Sequence, residues 1–329
     1  MYKFIWIIFI LLYFKTSAQL QLGNETHYAR ALKIHQKTLF IGFSDGELYA
    51  VNLKNKHIQK IDAPKSLVEI RDLEKLGNDL YVMESSDTSE LWKLNLITKV
   101  WTPIKLVHDA VFLDDLIATK HEVFAFGDAI NDSLVMYSIR SDSAYNEAKF
   151  MHGLPMGKIA LFAASGSAVQ RIGSHVGVIY QATGSFYTHC IPGKHFYGKD
   201  KLPLLQVESG GAFSQVIFDL KKNKNIAIVG GDYLNPNRND SIACYSTDAG
   251  ETFLLSESQP KGYRSHVIQL KNGKLMAVGP TGIDVSTDGG KNWRFVHEGK
   301  FHAAIRAGKH VYVTSNEGKV FCFEWKTWF

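Results

Sequence analysis

One phrase recurs along this chain, and that repetition constrains the fold more than any other feature. The phrase is an alternating apolar segment, a polar turn, a second apolar segment, another turn and a third apolar segment. It is clearest in the last third, where two octapeptides, STDAGETF at Ser246–Phe253 and STDGGKNW at Ser286–Trp293, start 40 residues apart. Upstream of them lie AFSQVIFDLKKNKNIAIVGGDY and GYRSHVIQLKNGKLMAVGPTGIDV, which match in apolar and polar order. Alternation puts successive side chains on opposite faces of a strand, and the Gly, Asn and Asp clusters between runs are turn formers. Helical periodicity is almost absent.

Earlier copies read YARALKIHQKTLFIGFSDGELYAV, EIRDLEKLGNDLYVMESSDTSELWKL, HDAVFLDDLIATKHEVFAFGDAINDSLVMYSI and FAASGSAVQRIGSHVGVIYQATGSFYTHC. The last is FHAAIRAGKHVYVTSNEGKVFCFEW. The seven units start near residues 28, 69, 108, 162, 211, 262 and 301. Their mean spacing is about 45 residues, the size of a propeller blade. The expected fold is all-β, a seven-bladed β-propeller of four-stranded antiparallel blades filling residues 19–329 as one domain. The last copy shows three strands before Phe329, so its fourth is expected from QLQLGNE, just before Tyr28. That closure would remove an exposed edge.

Residues 1–18 read as a secretory signal peptide. Lys3 is the positive start, Ile5–Phe14 an unbroken apolar run, and TSA the small residues before a cut after Ala18. Ten apolar residues are too few for a bilayer-spanning helix, although an uncleaved anchor is the alternative. An exported, periplasmic or secreted protein without a membrane span after cleavage is expected. Mass spectrometry of exported material should show a chain starting at Gln19; a retained Met1 would indicate an anchor. The net charge of +5 is spread without a basic block, so nucleic acid is not implied. Three cysteines do not make a disulfide framework. No strand–GxGxxG–helix unit or CxxC is present, so no redox cofactor is expected. HCIPGKH at His189–His195 has poor spacing for a closed metal site and reads as a loop.

Each octapeptide fits a tight turn between a third and a fourth strand. Asp248 and Asp288 would accept backbone N–H bonds, with Ser246 and Ser286 opening the turn. Gly250 and Gly290 would supply the positive φ, and Phe253 and Trp293 would pack beneath. A structural role is expected of all eight.

A binding site is expected on the opposite face, where the inner strands start. The opening residues are Arg30, Arg71, Asp109, Ser165, Ser214, Ser265 and His302, with Ser167 an alternative register in the fourth copy. Neighbours on that face are Asp72, Asp128, Asp232, Tyr233, Tyr263 and Arg264. A wet channel with paired Arg71 and Asp72 would need no ligand. Convergent arginines and hydroxyls would also suit an anionic or glycan-like ligand, or a protein partner.

The octapeptide resembles the Asp-box, or BNR repeat, of sialidases and related propellers. Eroded versions are SSDTSELW at Ser85–Trp92 and SDGELY at Ser44–Tyr49. More narrowly, IRDLEKL, HDAVF, FAASGSAV, GGAFSQVIF, VGGDYLNP, GYRSHV, VGPTGIDVSTDGGKNW and FHA resemble exported bacterial propellers akin to the photosystem II assembly/stability factor. That resemblance covers the whole chain after the leader and implies the fold; such propellers are often labelled oxidoreductase without a mechanism, and a non-catalytic binding or assembly module is expected. The sialidase resemblance implies a glycoside hydrolase instead. Its parts would be Arg30, Arg71 and Arg264 around a carboxylate, Asp72 or Asp109 as acid, and Tyr263 or Tyr233 with Glu74. The sialidase RIP signature is absent.

Overall fold

The computed structural model describes residues 18–23, 27–84, 90–106, 112–130, 133–140, 146–151, 160–162, 165–190, 196–220 and 223–329. Seven four-stranded antiparallel sheets form the blades of a propeller. Blade one is typical, with strands Ala29–His35, Thr38–Phe43, Leu48–Asn52 and Ile58–Ile61 in simple order from channel to rim. The other inner strands are Ile70–Leu76, Leu113–Ala118, Val169–Ile172, Gly210–Leu220, His266–Gln269 and Phe301–Ala307. Blade seven takes its outer strand from Ala18–Gln21, which pairs with Lys319–Cys322. Both chain ends are thereby tied into one sheet, and the ring is complete within residues 18–329.

The core lies between blades, because each strand has one side chain set on either face of its sheet. Ala31, Phe40 and Leu48 of blade one pack with Ile70, Leu73, Val82 and Leu94 of blade two. A β-carbon at Gly42 would lie 2.3 Å from Ile70 Cγ2, so these sheets meet where only hydrogen fits. Gly42→Val should therefore cost about 1–3 kcal/mol by overpacking, readable as a lower urea midpoint.

Polar side chains also pin blade to blade. Asp72 accepts from Leu116 N–H of the next blade at 2.7 Å and from Leu73 N–H at 2.7 Å. Asp115 accepts from Val169 N–H at 2.8 Å, and Ser214 Oγ from Val267 N–H at 2.9 Å. His266 Nδ1 accepts from Ala304 N–H at 3.0 Å, while Ser265 Oγ donates to the His302 carbonyl at 2.6 Å.

The two octapeptides form the turns after the third strands of blades five and six. Ser246 and Ser286 hydroxyls donate to Asp248 and Asp288, which accept from Thr252 N–H at 3.0 Å and Asn292 N–H at 2.9 Å. Gly250 and Gly290 have φ of 98° and 93°, a region open to glycine at little cost. The turns also reach the preceding blade. Phe253 packs on Tyr187 of blade four at 4.9 Å, and Trp293 is buried beside Val216 and Ala227 of blade five. Both aspartates are exposed, so Asp288→Ala should cost only about 1 kcal/mol. Urea unfolding checks this; a loss of several kcal/mol would mean that the turn organises far more than itself.

Candidate functional site

The site is made by β-bulges. In five inner strands the pairing slips near the start, and the unpaired residue turns toward the axis. In blades one, two, three and five the residue skipped is Arg30, Arg71, Asp114 and Phe213; in blade seven it is His302 with Ala303. Arg30, Arg71, Asp114, Phe213 and His302 all line one cavity of about 580 Å³ at the centre of this face. Five blades thus each set one bulged side chain around a common mouth.

One wall is charged. Arg71 Nη2 meets Asp114 Oδ1 at 3.0 Å, and Glu69 Oε1 lies 3.4 Å from Arg30 Nη1 and 3.8 Å from Arg71 Nη1. Arg30 donates to Tyr28 Oη at 2.7 Å and covers its ring at 4.5 Å. Burial, then the Arg71 charge, pull the Arg30 pKa down, with Glu69 opposing; a guanidinium keeps its proton regardless. Burial raises the Asp114 carboxyl against the pull of Arg71. Burial and then Arg30 lower the His302 pKa to about 3, so this imidazole is neutral near neutral pH. Arg30 Nε, Arg71 Nε and His302 Nε2 are buried without a hydrogen-bond partner among the described atoms.

The other wall is aromatic. Phe213 stacks on Phe162 at 5.4 Å and meets Tyr263 edge-on at 4.9 Å and Tyr233 at 6.3 Å. Tyr233 is half exposed, and Leu234 beside it more so. A second hollow of about 690 Å³ runs outward over blades four and five and shares Asp128, Ala160, Phe162 and Tyr233 with the mouth. Together they make a groove from the axis toward the rim.

Several expected mouth residues lie elsewhere. Arg264 is fully buried in blade six, paired with Asp284, and does not line the mouth. Ser214 and Ser265 are buried ties between blades. Asp72 and Ser165 line a second cavity of about 540 Å³ further along the channel, with Glu74 and Lys33, and Arg30 stands between it and the mouth, lining both. Ser165 Oγ donates to the Ser265 carbonyl at 3.1 Å, joining blades four and six. Asp232 caps its own loop, accepting from Leu234 N–H at 3.0 Å and Ser209 Oγ at 2.7 Å. Asp109 lies outside the described residues; the bulged acid of blade three is Asp114, because that inner strand starts at Leu113. What remains together is Arg30, Arg71, Asp128, Tyr233, Tyr263 and His302.

Asp114 had a signal in the sequence, since Leu113–Asp114–Asp115–Leu116 repeats the pattern Ile70–Arg71–Asp72–Leu73. The sialidase-like parts are not assembled: Tyr233 and Tyr263 line the mouth, Glu74 and Asp72 the other cavity, and Arg264 neither. Among the described residues no cluster of three or more His, Cys, Asp or Glu is placed to hold a metal.

No family model and no curated protein sequence matches the chain. Solved structures do. YCF48 from Cyanidioschyzon merolae superposes with a TM-score of 0.67 at 14% identity, covering 94% of this chain and 99% of that one. The chain shares its fold with YCF48. A structure of YCF48 bound to D1 peptide gives a TM-score of 0.66 at 11% identity over 95% and 96% of the two chains. The Cps50 (Swd1) β-propeller domain of Myceliophteria thermophila gives 0.63 at 10% over 94% and 98%. At these identities the likeness is one of architecture.

Proposed function

We propose that the chain is an exported, non-catalytic propeller that holds an acidic, partly apolar segment of a protein partner in its mouth. The observation that carries this reading is the convergence of Arg30 and Arg71, each with a buried unpartnered Nε, beside a wall of Phe162, Phe213, Tyr233 and Tyr263. Arginine forks suit carboxylates, and aromatic walls suit apolar side chains. The groove over blades four and five gives an extended segment room to leave the mouth. That YCF48 has been seen with D1 peptide supports a peptide rather than a sugar.

Binding of acidic peptides is the test. Arg30→Ala should weaken it by roughly 1.5–3 kcal/mol, the worth of a charge-assisted hydrogen bond. Arg71→Lys keeps a cation for Asp114 but loses the fork, and should weaken binding while leaving the fold intact. Calorimetry with peptides selected on the wild-type ring measures both. Binding unchanged in both variants would remove the mouth from the account.

A further inference from the structure

The two faces of the ring differ in charge. The mouth face has Asp45, Glu47, Glu69, Glu90, Asp128 and Asp232 on its loops and strand ends. On the opposite face every blade sets a cation at or beside the turn joining its first two strands. Blades one to four supply Lys37, Lys75, Lys120 and Arg171. Blades five to seven add Lys224, then Lys271 and Lys274, then Arg306 and Lys309. Lys54, Lys99 and Lys326 extend the set on outer turns of the same face. Asp219, Asp248, Glu251, Asp288 and Glu324 stand among them but are outnumbered, and the whole chain carries only +5, so the excess of cations on this face is an uneven placement of charge rather than a basic composition. Lys224 pairs with Asp219 and Lys309 with Glu324. Among the described residues, Lys37, Lys120, Arg171, Lys271 and Arg306 form no ion pair with a carboxylate.

Apolar groups stand among these cations. Ile97 is 70% exposed on a turn of this face. Trp328 and Phe329 lie half-buried at the foot of blade seven, with Lys274 over the Phe329 ring at 4.3 Å. The closing strand runs from Ala18, opposite Cys322, to Gln21, opposite Lys319. Its first residue is therefore at this face.

We propose that this face docks on an anionic membrane surface, with its lysines and arginines on lipid phosphates and the mouth turned away. Long cationic side chains at or beside the first turn of each blade are spread over a broad surface, which matches a planar array of headgroups better than a groove-shaped partner. Interfacial aromatic and aliphatic groups beside cations are the composition of membrane-surface segments. The inference is independent of what the mouth binds.

The test uses residues 18–329, which contain the complete ring and omit the apolar run. Co-sedimentation with phosphatidylglycerol-containing vesicles is expected at low salt and should vanish near 1 M salt, where screening is nearly complete. Pure phosphatidylcholine vesicles should not bind. The triple variant Lys37→Glu, Lys120→Glu, Lys271→Glu should lose at least on the order of a hundred-fold in partitioning, at roughly five-fold per cation. Lys65→Glu, on the mouth face, should bind as the unmodified ring does. If the triple variant does not fold, as judged by circular dichroism, the single reversals carry the same comparison. No binding at low salt, equal binding to both vesicles, or an unaffected folded variant would overturn the proposal. Heparin binding without vesicle binding would overturn it in favour of a soluble polyanion.

Discussion

Arg264→Ala is expected to destabilise the ring by roughly 3–5 kcal/mol, the usual loss when one partner of a buried ion pair is removed. Arg264 is fully buried and Asp284 is 1% exposed. The guanidinium donates from Nε to Asp284 Oδ2 at 2.7 Å, and from Nη1 to the Tyr263 carbonyl at 2.8 Å and Thr281 Oγ1 at 2.6 Å. Alanine would leave the Asp284 carboxylate in an apolar strand with only the Lys261 N–H at 3.3 Å. Replacing both partners, Arg264→Met with Asp284→Leu, should recover much of the loss, since the desolvation of both charges is then avoided. Urea midpoints of the two variants decide the matter. Because Arg264 does not line the mouth, peptide affinity per folded molecule should not change. A loss below about 1 kcal/mol would mean that water reaches the pair.

The second large effect is one of pH. Burial, opposed by the Leu116 N–H bond and reinforced by Glu74, raises the Asp72 pKa to about 7. The unfolded chain ionises this group near 4. The folded ring therefore holds the proton more tightly, and its contribution is greatest below the unfolded pKa. It is lost as pH rises through the folded pKa. Stability should therefore fall as pH rises from about 4 to 7, with Asp114 and Asp115, also raised by burial, acting in the same sense. The exposed turn aspartates Asp248 and Asp288 have lowered values and act in the opposite sense, but only below this window. Asp72→Asn should be less stable at low pH, where an amide N–H would face the Leu73 or Leu116 donor, and should show a flatter pH profile. An unchanged slope in urea unfolding between pH 4.5 and 7.5 would contradict this origin.

The repeat was legible because a blade is built from short-range alternation and turn chemistry, both of which are written locally. Register was less legible. A polar residue followed two places later by an apolar one describes Asp109 and Asp114 equally well, and only the matching IRDL and LDDL patterns favour the second. Bulges were invisible: one inserted residue aims Arg71 into the mouth while its neighbour Asp72 pins the next blade. A sequence alone assigns both to one wall. Arg264 beside a serine looked like a surface cation. The contrary signal was Asp284, an acid amid the apolar strand Gly282–Ser286, where a buried carboxylate calls for a cation or backbone N–H donors beside it. Of the aromatic wall, Tyr233 and Tyr263 were legible, whereas Phe162 and Phe213 read as ordinary apolar residues of their repeats.

The mouth is expected to hold an acidic, partly apolar protein segment. Selection of random displayed peptides on residues 18–329, followed by titration of the enriched sequences, tests it most directly. The account predicts peptides that combine a carboxylate with apolar or aromatic side chains, and an affinity that falls in Arg30→Ala and Arg71→Lys but not in Lys120→Glu on the opposite face. No enrichment, or enriched peptides that bind the mouth variants as tightly as the unmodified ring, would contradict it.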